Sequence, residues 1–212
     1  MTETPKTFMH RFRSWMPEVL CQRHTNPDGS EGGIVAVSAK IAAAITIPAN
    51  SEVMAGASIG ESASIGESAS IGYGASIGYG ASIGNRASIG NRASIGYGAS
   101  IGNRASIGYG ASIGYGASIG ESASIEKDDW LFVAGPQGSR AAWATAVYSA
   151  EYGLRWWVGC QHALTTEDLR ARLDEEYPAD SEDEDALAYR ADYLYLIGVV
   201  ENHPGLARHK AK

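Results

Sequence analysis

Cysteine is nearly missing from this 212-residue chain. Cys21 and Cys160 stand far apart, with no CxxC and no Cys/His ligand spacing, which excludes a disulfide framework and a structural zinc site. A reducing compartment is then the default. Charge is also sparse: 19% of residues are Asp, Glu, Lys or Arg, too few for a disordered polyelectrolyte. The net charge of −7 and a pI near 5.2 argue against a general nucleic-acid coat. The acidity is concentrated from Lys127 onward, where nine basic residues face fifteen acidic ones. Long apolar runs are lacking too. No uncharged apolar stretch follows Lys6, Arg11 and Arg13, and none elsewhere is long enough for a span, so neither a signal peptide nor a transmembrane helix is expected. What the chain has in excess is glycine, 26 residues without the every-third spacing of collagen.

Those glycines belong to a repeat. Isoleucine recurs every sixth position from Ile59 to Ile125 without exception, in the unit Ala-Ser-Ile-Gly plus two further residues. The pair is always Glu-Ser, Tyr-Gly or Asn-Arg. Val35, Ile41, Ile47 and Val53 hold the same phase upstream with degenerate flanks, so the array runs from about Gly33 to Glu126. A helix would scatter these isoleucines, because six residues advance about 240° net around its axis. An extended reading fits better. Ala and Ile, two apart, point to one side, Ser between them points to the other, and Gly with its two followers turns the chain.

The unit Ile-Gly-x-x-Ala-Ser closely resembles the hexapeptide repeat of left-handed parallel β-helices. The resemblance implies a triangular prism of three six-residue sides per coil, about five coils stacked roughly 4.8 Å apart. It also implies homotrimers packed through the prism walls. Residues 18 apart then stack along one edge. One edge carries Glu61, Tyr79, Tyr97 and Tyr115, and a second Glu67, Asn85, Asn103 and Glu121, with Arg86 and Arg104 alongside. The third carries Tyr73, Asn91 with Arg92, and Tyr109. Such ladders are either a recognition surface for nucleobases, phosphates or a protein, or a device that stabilises the turns. The outward serines form hydroxyl arrays of a kind seen in ice-binding solenoids, although Tyr and Arg interrupt them. Enzymes with this repeat are acyltransferases using acetyl-coenzyme A or acyl carriers, in which a histidine acts as general base. All five histidines here, His10, His24, His162, His203 and His209, fall outside the array, which argues against that activity.

The flanks read differently. Phe8, Phe12, Trp15, Met16 and Val19 follow helical spacing, so residues 1–32 are expected to be an amphipathic helical cap and a loop. Residues 127–212 read as an α+β domain of order βββαα. Its strands are Trp130 to Ala134, Ala141 to Tyr148 and Leu154 to Val158. One helix starts at Thr165 or Thr166 with Asp168 in a capping box, and a second carries Tyr189, Tyr193, Leu196 and Val200. The residues Gly135, Pro136, Gly138, Ser139, Arg140, Gly159 and Cys160 resemble a turn and a GC dipeptide of uncharacterised bacteriophage and prophage proteins. That resemblance implies a bacterial cytoplasm and no known reaction. Ser139, Arg140 and Cys160, with His162 two residues on, are a candidate cluster whose plainer reading is a tight turn and a buried thiol.

The expectation is therefore a mainly β protein with a left-handed β-helix at 33–126. Its expected role is a non-enzymatic trimeric binding or assembly module in which the prism sets spacing and the C-terminal domain contacts a protein partner. The alternative is sequestration of a small anionic, nucleotide-like ligand between subunits by the tyrosines and Arg86, Arg92 or Arg104, and a further alternative is a hexapeptide-repeat acyltransferase. No cofactor and no metal is expected.

Overall fold

The computed structural model describes residues 6–137, 142–158 and 161–211. The chain divides into two compact units, Met1–Ala117 and Ser118–Lys212.

The N-terminal unit is a left-handed β-helix. Its strands are β1 (Thr7–His10), β2 (Val19–Thr25), β3 (Glu31–Ala36), β4 (Lys40–Ile41) and β5 (Glu52–Val53), followed by two-residue Ser-Ile strands. These start at β6 (Ser58–Ile59), β7 (Ser64–Ile65) and β8 (Ser70–Ile71) and step by six residues to β15 (Ser112–Ile113). Each pairs in parallel with the strand 18 residues away, as Ser82 with Ser100 and Ile83 with Ile101, so three pleated walls form. Serine and glycine N–H groups donate across the gap, Ser82 to the carbonyl of Ala99 at 2.8 Å and Gly84 to that of Ile101 at 2.8 Å. The isoleucines and alanines line the interior and are almost fully buried. At each corner the two variable residues form a turn closed by a bond such as Ala87 N–H to the Gly84 carbonyl. Its third residue takes positive φ, as Gly98 does at +63° and Arg86 at +59°. The pairs Tyr-Gly, Asn-Arg and Glu-Ser are therefore three solutions to one turn.

The N-terminal cap is a β-hairpin where spacing predicts a helix. β1 pairs antiparallel with β2, β2 with β3, and β3 runs parallel to β5, so the segment extends one prism wall in the order β1-β2-β3-β5-β8. An open wall edge offers unpaired N–H and C=O groups, and satisfying them outweighs the helical preference of a short segment. Phe12, Cys21, Ala36 and Met54 pack as a small core beneath the hairpin. Asn26, also buried, takes the Ile47 N–H on Oδ1 at 2.9 Å and so closes the end of the prism.

The C-terminal unit opens with two more Ser-Ile strands, β16 (Ser118–Ile119) and β17 (Ser124–Ile125). A four-stranded antiparallel sheet follows, formed by β18 (Trp130–Gln137), β19 (Ala142–Ser149), β20 (Gly153–Val158) and β21 (Gln161–Leu164) in chain order. Three helices complete it: α1 (Thr166–Glu176), α2 (Glu184–Glu201) and α3 (Pro204–Lys210). Among the described residues the order βββαα thus becomes four strands and three helices. β21 has four residues and α3 seven, and neither is long enough to carry a strong sequence period. Trp130 and Trp156 from the sheet pack with Leu169, Tyr193, Ile197 and Leu206 from the helices. α1 begins at the expected capping box, in which Thr165 and Asp168 exchange side-chain-to-backbone bonds. No helix among the described residues is long and apolar enough to cross a membrane.

Candidate functional site

The prism edges bring the ladder residues together as the repeat demands, and their geometry gives each a job within the turn stack. Tyr79, Tyr97 and Tyr115 stack face to face with centroids 5.1 and 5.2 Å apart and planes within 12°. Rings of successive coils already face one another at about one interstrand spacing, so the ladder presents ring edges and hydroxyls, with its inner faces occupied. Asn85 Oδ1 accepts the Glu67 N–H at 2.8 Å, and Asn103 Oδ1 accepts the Asn85 N–H at 2.9 Å. Asn91 does the same for Tyr73. Arg86, Arg92 and Arg104 hold left-handed turn positions. Arg92 donates to the Tyr109 hydroxyl at 2.9 Å and lies over that ring. Tyr73, Tyr79, Tyr97, Tyr109 and Tyr115 are all about half exposed or more. Ser139, Arg140 and Cys160 lie outside the described residues, as does the Gly138 to Arg140 part of the phage-like turn.

Sequence reasoning missed a cluster on the capped wall. The hairpin brings His10 and Arg13 over Glu52 and Ser70, the outward residues of two successive coils. Arg13 Nη1 contacts Glu52 Oε2 at 2.8 Å, and Nη2 donates to Ser70 Oγ at 2.8 Å. His10 Nε2 stands 3.9 Å from the other oxygen, Glu52 Oε1. That nitrogen is buried and makes no hydrogen bond among the described residues, although about a quarter of the side chain is open to solvent. The ring packs edge-on against Phe12 at 4.8 Å. Beneath the cluster, burial first and the Glu52 charge second push the Cys21 thiol pKa up, which keeps it protonated and unreactive. Chemically, this is an imidazole at ion-pair distance, but not hydrogen-bonding distance, from a carboxylate whose second oxygen is fixed by a guanidinium. One signal was available: Glu52 occupies the outward position that serine fills in every perfect repeat. Among the described residues no group of His, Cys, Asp and Glu is arranged to hold a metal ion.

No family model matches the chain, and no curated protein sequence matches it. Solved structures do. A mutant perosamine N-acetyltransferase from Caulobacter crescentus, in complex with CoA and GDP-perosamine, is similar at 28% identity over 43% of this chain and 44% of that one, with a TM-score of 0.43. The acetyltransferase domain of PglB from Neisseria gonorrhoeae, in complex with acetyl coenzyme A, is 18% identical over 43% and 53%, with a TM-score of 0.31. A hexapeptide transferase family protein from Anaplasma phagocytophilum is 16% identical over 80% and 93%, with a TM-score of 0.32. The chain spans about half the length of the first two.

The left-handed hexapeptide fold stands. The expectation of a non-enzymatic assembly module does not: these neighbours are acetyltransferases and a transferase-family protein. The exclusion of an enzyme, drawn from the lack of histidine in the array, falls with it. Histidine reaches the prism wall from outside the array, on β1.

Proposed function

We propose that this chain is an acyltransferase of the hexapeptide-repeat class, taking its acyl group from a thioester such as acetyl-coenzyme A. The observation that supports this reading is the placement of His10 against Glu52 on the outer wall of the prism. Closing the 3.9 Å gap between His10 Nε2 and Glu52 to a hydrogen bond would hold the ring proton on Nε2 and leave Nδ1 as the base. The acceptor's amine or hydroxyl attacks the thioester carbonyl carbon while Nδ1 takes its proton. The carbon–sulfur bond breaks, and the proton returns to the departing thiolate. In this reading the protein works as a homotrimer packed through its walls, in a bacterial cytoplasm. The ligand-sequestering reading has less support, because the tyrosine faces that would hold a base are stacked on one another.

The test is release of free coenzyme A from acetyl-coenzyme A in the presence of amine- and hydroxyl-bearing sugars, with solution mass measured by light scattering. His10→Ala is expected to reduce kcat by about 10²–10⁴-fold. Glu52→Gln should lower kcat less and displace its pH profile. Absence of turnover with every acceptor, or full activity in His10→Ala, would refute the proposal.

A further inference from the structure

The C-terminal unit contains a cavity of about 260 Å³ that belongs to no site described above. Its lining includes Val147, Ser149, Tyr152, Arg155, Trp157 and Ala163. Val147 and Trp157 are buried and apolar, and the other four are more exposed.

Three features of this lining have no role in holding the fold. Arg155 donates only to the carbonyl of its neighbour Leu154, at 3.1 Å, and among the described residues no carboxylate is within ion-pair distance of it. Asp168, the carboxylate whose pKa it helps to lower, is bonded to Thr165 instead. The Trp157 indole N–H is buried and has no acceptor among the described residues. An unmet donor of that kind costs about 1–3 kcal/mol. Ala163 sits at φ +55°, in the left-handed region that a residue with a Cβ rarely occupies. Strain of this sort persists where the surroundings impose it, and it gathers at binding sites.

The geometry points to a binding site for a small carboxylate with an apolar body. The single cation matches one anionic group, which the Arg155 guanidinium can take as a carboxylate. Val147 and the Trp157 ring face the remainder of the ligand. The volume corresponds to about nine water-sized units of roughly 30 Å³ each, the size of benzoate or hexanoate. The site is independent of the acyl-transfer reading and stands or falls separately from it.

The test is titration of the full chain with benzoate, hexanoate, benzamide and inorganic phosphate, followed by calorimetry and by the indole N–H resonances. The Trp157 resonance is assigned with Trp157→Phe. Benzoate and hexanoate should bind saturably and move that resonance, while benzamide and phosphate should bind at least about tenfold more weakly, as loss of a charge-assisted bond or of apolar contact implies. Arg155→Gln should weaken benzoate by a similar factor. If Arg155→Gln fails to fold, benzoate against benzamide on the unaltered protein decides alone. No saturable binding, equal binding of benzamide or phosphate, or unchanged affinity in a folded Arg155→Gln would overturn the proposal.

Discussion

Replacing Gly84 by alanine places one methyl group where the next coil already stands. A Cβ at this position would lie 2.6 Å from the Asn103 nitrogen and 2.7 Å from the Gly102 carbonyl carbon. Neither neighbour is a flexible side chain. Ordinary contact begins near 3.4 Å, so the coils must part locally by about 0.8 Å, which exceeds what a packed interior absorbs without strain. The bonds from Ser82 to Ala99 and from Gly84 to Ile101, both 2.8 Å, would stretch beyond hydrogen-bonding length. Overpacking at about 1–3 kcal/mol plus one or two weakened backbone bonds at about 0.5–1.5 kcal/mol each gives a loss of roughly 2–5 kcal/mol. Gly114 is the matched control. It occupies the same place in its hexapeptide, has nothing within 4 Å of the added atom and does not adopt positive φ. Gly114→Ala should be neutral, or stabilising by up to about 1 kcal/mol through the unfolded chain. Urea unfolding followed by far-ultraviolet circular dichroism, compared at equal m-value, measures both. If the two variants unfold at the same midpoint, coil-to-coil contact is not what excludes a side chain at this position.

Other substitutions probe the corners, the cap and the helix terminus. Arg86→Gly relieves a left-handed residue and should raise stability by up to about 1 kcal/mol, visible as a higher melting temperature; a drop would mean that the guanidinium holds the turn. Cys21 should resist iodoacetamide at neutral pH until the protein unfolds, because burial raises its pKa; rapid alkylation of the native chain, read by mass spectrometry, would contradict this. Asp168 and Asp129 should respond to acid with opposite signs. The Asp168 pKa is lowered by bonds from Thr165, so its contribution is present above the unfolded value near 3.9 and lost as pH falls through the folded one. The Asp129 pKa is raised by burial, so stability lost to its charge returns as pH falls through the raised value. Asp168→Ala should therefore flatten the acid limb of unfolding and Asp129→Asn should steepen it.

The candidate sites differ in how far they could be read before folding. The edge ladders follow from counting by 18, and each predicted neighbour is a neighbour in space, as with Tyr79 and Tyr97. Their roles were less accessible. Asn85 looks like a surface amide until its Oδ1 is seen on the Glu67 N–H. The hairpin cap shows a different gap. Phe8, Phe12 and Met16 share a helical stripe, but Pro17 disfavours helix at Met16, a local signal against the helical reading. Pairing with the open wall then decided the matter. His10 and Glu52, 42 positions apart, had no common period to connect them.

The order of residues alone determined an extended, turning repeat, because a strict six-residue step scatters its aliphatics around a helix, and its resemblance to hexapeptide repeats implied the prism. It also determined the start of α1, since a capping box acts over three residues. Only the tertiary structure decided what stands on the walls. Which polar groups meet depends on a hairpin that folds back over coils distant in sequence, and on how an added sheet leaves Arg155 with no ion pair among the described residues. Short-range preferences carry no information about such encounters, whose free energy appears only once the surfaces are in place.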